Sequence, residues 1–455
     1  MPEMLKEASD QERVRGHVEK IQGLLGDPRL QDVIERAGAQ VPGDRPARDK
    51  IAGLLATDLG SVASSGGGSP DVPYLSRAPL VSMVQSYVEQ ALTDGAAASG
   101  GLASLWFKLV HATEHLLGLE PGSFTSKDPD WYVDIARAVL ERLAEGNAPF
   151  NEAPAEHDGL SDDARLVVVG DWGTGLPRAR QVAVHMRQAI DAALASQRQV
   201  HVIHLGDVYY SGLEVEDRKR FLDLWPVSPE QAAAGVTSWS LNGNHDMYSG
   251  GFGYFGTLLA DPRFRHQRSA DGKPTSFFRL RSPSWDFVGL DTAWDTDVVS
   301  AGQVAVLQEP QDRYVAAVAA GSERRLVLFS HHQLVSVYDK SDLGPTLPGK
   351  LAPVLDHDRV TAWWWGHEHR AITYEAASGV RYPRCLGNGG VPIRPDAAPP
   401  AGSTPPITWR STRTVREDGE DWIRFGFAVL DLHPSQIQVA YVDDDGVTTH
   451  TETVS

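Results

Sequence analysis

Between Arg165 and His369 a short apolar run breaks five times into a tight polar turn, and each turn carries a side chain that can bind a cation or move a proton. LVVV runs into Gly170-Asp171, HVIHL into Gly206-Asp207, and SWSLN into Gly243-Asn244. LVLF then ends at Ser330-His331, and AWWW at Gly366-His367. Runs this short and this rich in branched and aromatic residues predict strands. Helical spacing over Ala179–Leu194 and Val304–Ala319 separates some of them. Strand, turn, helix and strand again is the pattern of an α/β unit, and open sheets of that kind place their sites at the C-terminal ends of strands. The last two runs, FGFAVLDLH and QIQVAYVD, predict a hairpin completing a sheet.

The first third reads differently. Apolar residues fall at helical spacing over Gln11–Leu25, Ala47–Leu59, Pro79–Leu92, Leu102–Leu117 and Asp130–Leu143, with the flexible stretch GSVASSGGGSP at 60–70 between two of them. This predicts a helical domain over 1–150, whose role the sequence leaves open, and a catalytic domain over 163–455. The chain has 455 residues, enough for two or three domains. Its formal net charge of -18 argues against gripping a nucleic-acid polymer, since phosphate contacts need Lys and Arg. Cys385 is the one cysteine, so thiolate metal clusters and internal disulfides are excluded. The polar start and the lack of a long apolar run predict a protein that is not membrane-embedded and resides in the cytoplasm.

The strand-end residues are Asp171, Asp207, Tyr210, Asn244, His245, His331, His367 and His369. Oxygen and imidazole donors without sulfur suit iron, zinc or manganese. A carboxylate between two half-sets of ligands can bridge two ions ~3.5–4 Å apart, the clamp used for in-line phosphoryl displacement. Each piece alone is an ordinary turn or a packed histidine; the ordered set carries the signal.

That ordered series, GDWG, GDVYY, GNHD, a strand-ending His331 and GHEH, resembles the calcineurin-like metallophosphoesterases, and among them the purple acid phosphatases. Gly173, where the wider superfamily has His, and Tyr210, three residues after Asp207, select that subgroup. The resemblance implies an α+β fold, a four-layer αββα sandwich of two mixed sheets, behind the N-terminal all-helical domain. It implies that Asp171, Asp207, Tyr210 and His369 hold one ion, and that Asp207, Asn244, His331 and His367 hold the other. It further implies Fe(III) paired with a divalent ion (Fe, Zn or Mn), and a small phosphorylated substrate attacked by a metal-bound hydroxide. Asp207 and His245 become the catalytic residues, with His245 stabilising the transition state or protonating the leaving oxygen. His332 is the alternative to His331 and a candidate substrate contact; Gln333 stands where the family has Pro.

Hydrolysis of phosphate monoesters is the function this implies. The alternatives are a phosphodiesterase or nucleotide pyrophosphohydrolase on the same centre, and a non-catalytic scaffold using the helical half to bind partners. Other features read as structure: His111 and His115 as helix packing, His204 as buried scaffold, Trp363–Trp365 as strand core, and Arg178 and Arg180 as surface residues. The Pro-rich stretch at 395–410, with Arg410, Arg413 and Arg416, reads as a solvated surface loop.

Overall fold

The computed structural model describes residues 82, 86, 146–295, 306–338, 346–357, 359–395, 399, 402–417 and 420–455. Most of the predicted N-terminal helices, with His111 and His115, lie outside these. Ser82 and Ser86, within the predicted Pro79–Leu92 helix, are helical.

Fourteen strands make two mixed sheets. The first has eight, in the order β1 (Ala155–His157), β5 (Phe278–Arg281), β6 (Trp285–Leu290), β7 (Arg325–Ser330), β8 (Val360–Trp365), β10 (Val380–Leu386), β9 (Ala371–Tyr374) and β11 (Ile407–Arg410). The second has six, in the order β16 (Thr448–Val454), β15 (Ile437–Asp443), β14 (Gly426–Leu432), β2 (Arg165–Val169), β3 (Val200–His204) and β4 (Thr237–Ser240). A small hairpin, β12 (Thr414–Glu417) with β13 (Glu420–Ile423), stands apart.

Strand alternation explains the layering. In β2, Leu166 and Val168 enter the core between the sheets, while Val167 and Val169 face outward. The outward face is covered by α1 (Pro177–Ala195) through Val182, Met186 and Ile190. In β8, Ala362 and Trp364 point between the sheets, whereas Trp363 and Trp365 point to the opposite face. There they meet α3 (Glu309–Gly321) and α4 (Thr346–Leu355); α2 is the short helix Asn244–Tyr248. The result is the expected four-layer sandwich, and the tryptophan triplet is strand core on both faces.

Two details differ from expectation. The described fold begins before residue 163, because β1 pairs in parallel with β5 and the Ala148 amide donates to the Gly250 carbonyl at 2.8 Å. The helix predicted from Val304 starts at Glu309, with Pro310 in its first turn, where a missing N–H costs nothing.

Candidate metal centre

β2, β3 and β4 are parallel neighbours, as are β7 and β8, so all five functional turns leave at C-terminal strand ends. The site therefore straddles the two sheets. Asp171, Asp207, His367 and His369 have φ of 55°, 75°, 67° and 55°, left-handed values that cost non-glycine residues energy. Such strain gathers at sites where side-chain direction matters more than backbone comfort. The glycines leave room for close approach. A Cβ on Gly366 would sit 2.6 Å from Asp171 Oδ2, and one on Gly243 would collide with the Asp207 carboxylate.

Two donor sets converge. In the first, Asp171, Asp207 and His369 place ligand atoms within 4.8 Å of one another. The Tyr209 hydroxyl lies among them, 2.8 Å from Asp171 Oδ1, 2.9 Å from Asp207 Oδ2 and 3.1 Å from His369 Nε2. In the second, Asn244 Oδ1 is 2.9 Å from both His331 Nε2 and His367 Nδ1, and those nitrogens are 3.2 Å apart. Asp207 joins the sets: Oδ2 faces the first, and Oδ1 lies 3.4 Å from His331 Nε2.

The tyrosine hydroxyl among the carboxylates belongs to Tyr209. Tyr210 was expected there, but the phenol that reaches Asp171 and Asp207 is that of Tyr209. The Tyr210 ring lies under the Arg220 guanidinium, 4.8 Å from its centroid. Its backbone is held on both sides, the amide donating to Glu216 Oε1 at 2.7 Å and the carbonyl 2.5 Å from His245 Nδ1. A double tyrosine after Asp207 was the one signal that could have raised this option, and residue spacing alone does not decide between the two.

Supporting carboxylates fix the turn. Asp246 accepts from the amides of Asp207, Val208 and Gly243, and Glu216 from those of Tyr210, Ser211 and Leu213. Neither was singled out from the sequence, although Asp246 closes the GNHD motif. Burial and the neighbouring Asp207 push the Asp246 carboxyl well above the usual range. Burial also opposes charge on Asp207, yet His331, His245 and His367 together hold it below its ordinary value. Burial, with Asp171 and Asp207, pushes the Tyr209 phenol well up.

The donor chemistry fits cations. His331 Nδ1 lies 3.0 Å from the Leu205 carbonyl, which places its proton there and leaves the Nε2 lone pair facing Asn244 Oδ1, an acceptor. Asn244 is oriented by Nδ2 donating to Tyr248 Oη at 2.8 Å. One phenol proton likewise cannot serve both Asp171 and Asp207. Opposed lone pairs of this kind are resolved by a positive ion between them.

His245 sits between Tyr209 and Tyr248, with ring centroids 4.5 and 4.7 Å away. His332 points its Nδ1 to Thr292 Oγ1 at 3.0 Å, its ring 4.6 Å from that of His367. His204 is buried, with Nδ1 3.2 Å from Ser240 Oγ. Arg178 pairs with Asp444 and Glu417, and Arg180 donates to the Gly175 carbonyl. Within the stretch read as a surface loop, Ile407–Arg410 is strand β11; Arg410 donates to Tyr338 Oη and Arg413 pairs with Asp443 and Asp445.

Residues 164–371 match the family model described as calcineurin-like phosphoesterase. This stretch is a calcineurin-like phosphoesterase domain. The chain is 25% identical over 319 residues to tartrate-resistant acid phosphatase type 5 of Oryctolagus cuniculus, covering 64% of this chain and 90% of that protein. The protein of that name from Homo sapiens is 25% identical over 324 residues, covering 64% and 91%. Among solved structures, "GAP50 the anchor in the inner membrane complex of Plasmodium" aligns at 15% identity with a TM-score of 0.46, covering 64% of this chain and 88% of that one. The matched domain and the acid phosphatase relatives support phosphoester hydrolysis as the chemistry of this chain. Among the described residues, no helix is long and apolar enough to cross a membrane.

Proposed function

We propose that the protein hydrolyses small phosphate monoesters at a dinuclear metal centre of the purple acid phosphatase kind. The observation that carries this reading is Asp207, whose two carboxylate oxygens face separate donor sets. Asp171, Tyr209, His369 and Asp207 would hold one ion, and Asp207, Asn244, His331 and His367 the other. Bound there, Fe(III) with divalent Fe, Zn or Mn would supply Lewis acidity, a water activated near neutral pH and charge neutralisation at the phosphoryl oxygens.

The chain's own residues do the rest. The Leu205 carbonyl keeps the His331 proton on Nδ1, so the Nε2 lone pair stays available to a metal ion. Asp171, Asp207 and an ionised Tyr209 bring three negative charges, fewer than the five positive charges of such an ion pair. The site then stays net positive and attracts a phosphate dianion inside an acidic protein. His245, fixed through Nδ1 on the Tyr210 carbonyl, is positioned as the acid that protonates the leaving oxygen. His332, whose ring packs beside that of His367, would be the further contact to a phosphoryl oxygen.

Visible absorption of the aerobically purified protein tests the metal and the tyrosine together. A charge-transfer band lost in Tyr209→Phe and kept in Tyr210→Phe is the expected result. Loss in Tyr210→Phe alone would restore the motif-based assignment, and a colourless metal-bound protein would remove ferric iron. Comparing p-nitrophenyl phosphate with its bis ester tests the substrate class; a strong preference for the diester would overturn the monoester reading.

A further inference from the structure

Arg370 directly follows His369 of the metal centre and has no role in the donor sets. Its main chain reaches the centre. The Gly387 amide donates to the Arg370 carbonyl at 2.7 Å, and a Cβ on Gly387 would lie 2.7 Å from Asp171 Oδ2. The Arg370 guanidinium lies over the Tyr338 ring, 4.6 Å from its centroid, and Nη1 donates to the Glu368 carbonyl at 2.8 Å. Arg410 meets the same tyrosine from β11, its Nη1 donating to Tyr338 Oη at 2.8 Å. Tyr338 therefore holds one guanidinium on its ring and another at its hydroxyl.

The fold brings these residues to one end of the eight-stranded sheet. Tyr338 is on the loop that leaves β7 through His331, and Arg370 joins the turn after β8 to β9. Arg410 ends β11, and the next amide, that of Ser411, donates to the Ala371 carbonyl at 2.9 Å. Ala371 is two residues from His369, so this end of β11 lies within about 13 Å of that histidine. Buried side chains fix the loop. Glu368 accepts from Trp365 Nε1 at 2.8 Å and from the Ser336 hydroxyl, and Ser336 Oγ accepts from the Tyr338 amide at 3.0 Å. In this acidic chain, half-buried Arg165 and Arg178 are matched by carboxylates. Arg410 is also half-buried, yet among the described residues it forms no ion pair and bonds a neutral phenol. Most of its N–H donors are uncommitted. Guanidinium groups placed in this way suit bidentate binding of a phosphate.

Resting on the monoester reading above, we infer that Arg370 and Arg410, gathered on Tyr338, form an anion subsite beside the metal centre, and that the substrate is a small bisphosphate. One phosphate is cleaved at the metals. The second, carried on the leaving group a few carbons away, is held by the two guanidiniums. Hydrolysis adds water and breaks one ester P–O bond, giving inorganic phosphate and an alcohol that keeps the second phosphate. The two cations on one phenol raise the local positive potential, which the net charge of -18 does not supply elsewhere.

The test is calorimetric binding to the full, metal-loaded chain of butylphosphonate and of the propane-1,3- to hexane-1,6-diyl bisphosphonates, which are not hydrolysed. At least one bisphosphonate should bind about 10–100-fold tighter than butylphosphonate. Arg410→Gln should cut that ratio about tenfold, and the double variant with Arg370→Gln should bring it to about one. Tyr338→Phe, which keeps the ring and removes the hydroxyl that holds Arg410, should also lower it. Arg381→Gln, exposed at the far end of the sheet where β10 begins, should keep the ratio. Taking the ratio of two ligands on one variant cancels any general loss at the metals. Equal affinity for butylphosphonate and every bisphosphonate, or an unchanged ratio in Arg410→Gln and the double variant, overturns the subsite. Hydrolysis of butyl phosphate is measured separately and decides the monoester reading, while the binding ratio decides the subsite whichever way that falls.

Discussion

His245 is buried between two tyrosine rings, with one ring nitrogen committed to the Tyr210 carbonyl. General acids of this type contribute roughly 10²–10⁴-fold. His245→Asn should therefore lower kcat by about that factor on an alkyl phosphate and far less on p-nitrophenyl phosphate, whose leaving group needs no proton. An equal loss on both substrates would reassign His245 to binding the phosphoryl group. Gly243 makes a steric prediction. Any side chain there collides with Asp207, so Gly243→Ala should displace the shared carboxylate and reduce bound metal while the protein remains folded. Full metal content in that variant would refute a rigid packing of Asp207. Both the donors and the glycines were legible because each follows an apolar run directly. Tyr209 was not, because two adjacent tyrosines offer the same chemistry and only the packed turn chooses between them.

At the scale of elements, the strand ends matter more than the strands. Asp291 follows β6, and its Oδ1 accepts from the amides of Ala293 and Trp294, both at 2.9 Å. Burial raises its pKa from 3.8 to about 6. The folded protein then holds a proton that the unfolded chain releases, so stability is greatest below pH 4 for this group and falls as pH rises to about 6. The loss approaches about 3 kcal/mol. Asp291→Asn, which cannot titrate, should flatten that fall in urea-denaturation midpoints between pH 4 and 6. An unchanged slope would mean that Asp291 is ionised in the fold. The alternating strands and α1 were readable from periodicity. The two supporting carboxylates, Asp246 and Glu216, were not, since a buried acid that accepts backbone amides leaves no periodic mark.

Across the whole molecule the centre is a joint between sheets: β2, β3 and β4 bring Asp171, Asp207 and Asn244, while β7 and β8 bring His331, His367 and His369. Without cations, buried carboxylates and opposed lone pairs share a small volume, which disfavours the folded state. Exhaustive chelation should abolish hydrolysis and lower the unfolding temperature, with both restored by metal. Ions bound ~1,000-fold above their Kd stabilise by about 4 kcal/mol. An unfolding temperature indifferent to chelation would separate the centre from the stability of the sandwich. The fold also reaches past the matched stretch at both ends. β1 extends the eight-stranded sheet, and β14 pairs with β2 inside the six-stranded sheet, where Asp431 meets Arg165 at 2.7 Å.

From the sequence alone came the alternation of strands and helices, the order of the donors and their position at strand ends, while the four-layer architecture was an expectation carried by the family resemblance. The alternation, the order and the positions follow from local causes, since residue alternation sets the faces and a glycine turn aims the next side chain. Tertiary structure decided which tyrosine enters the centre and how Asp207 divides its oxygens. Those outcomes depend on how two sheets distant in sequence pack against each other, and pairings of that kind leave no local pattern in the chain.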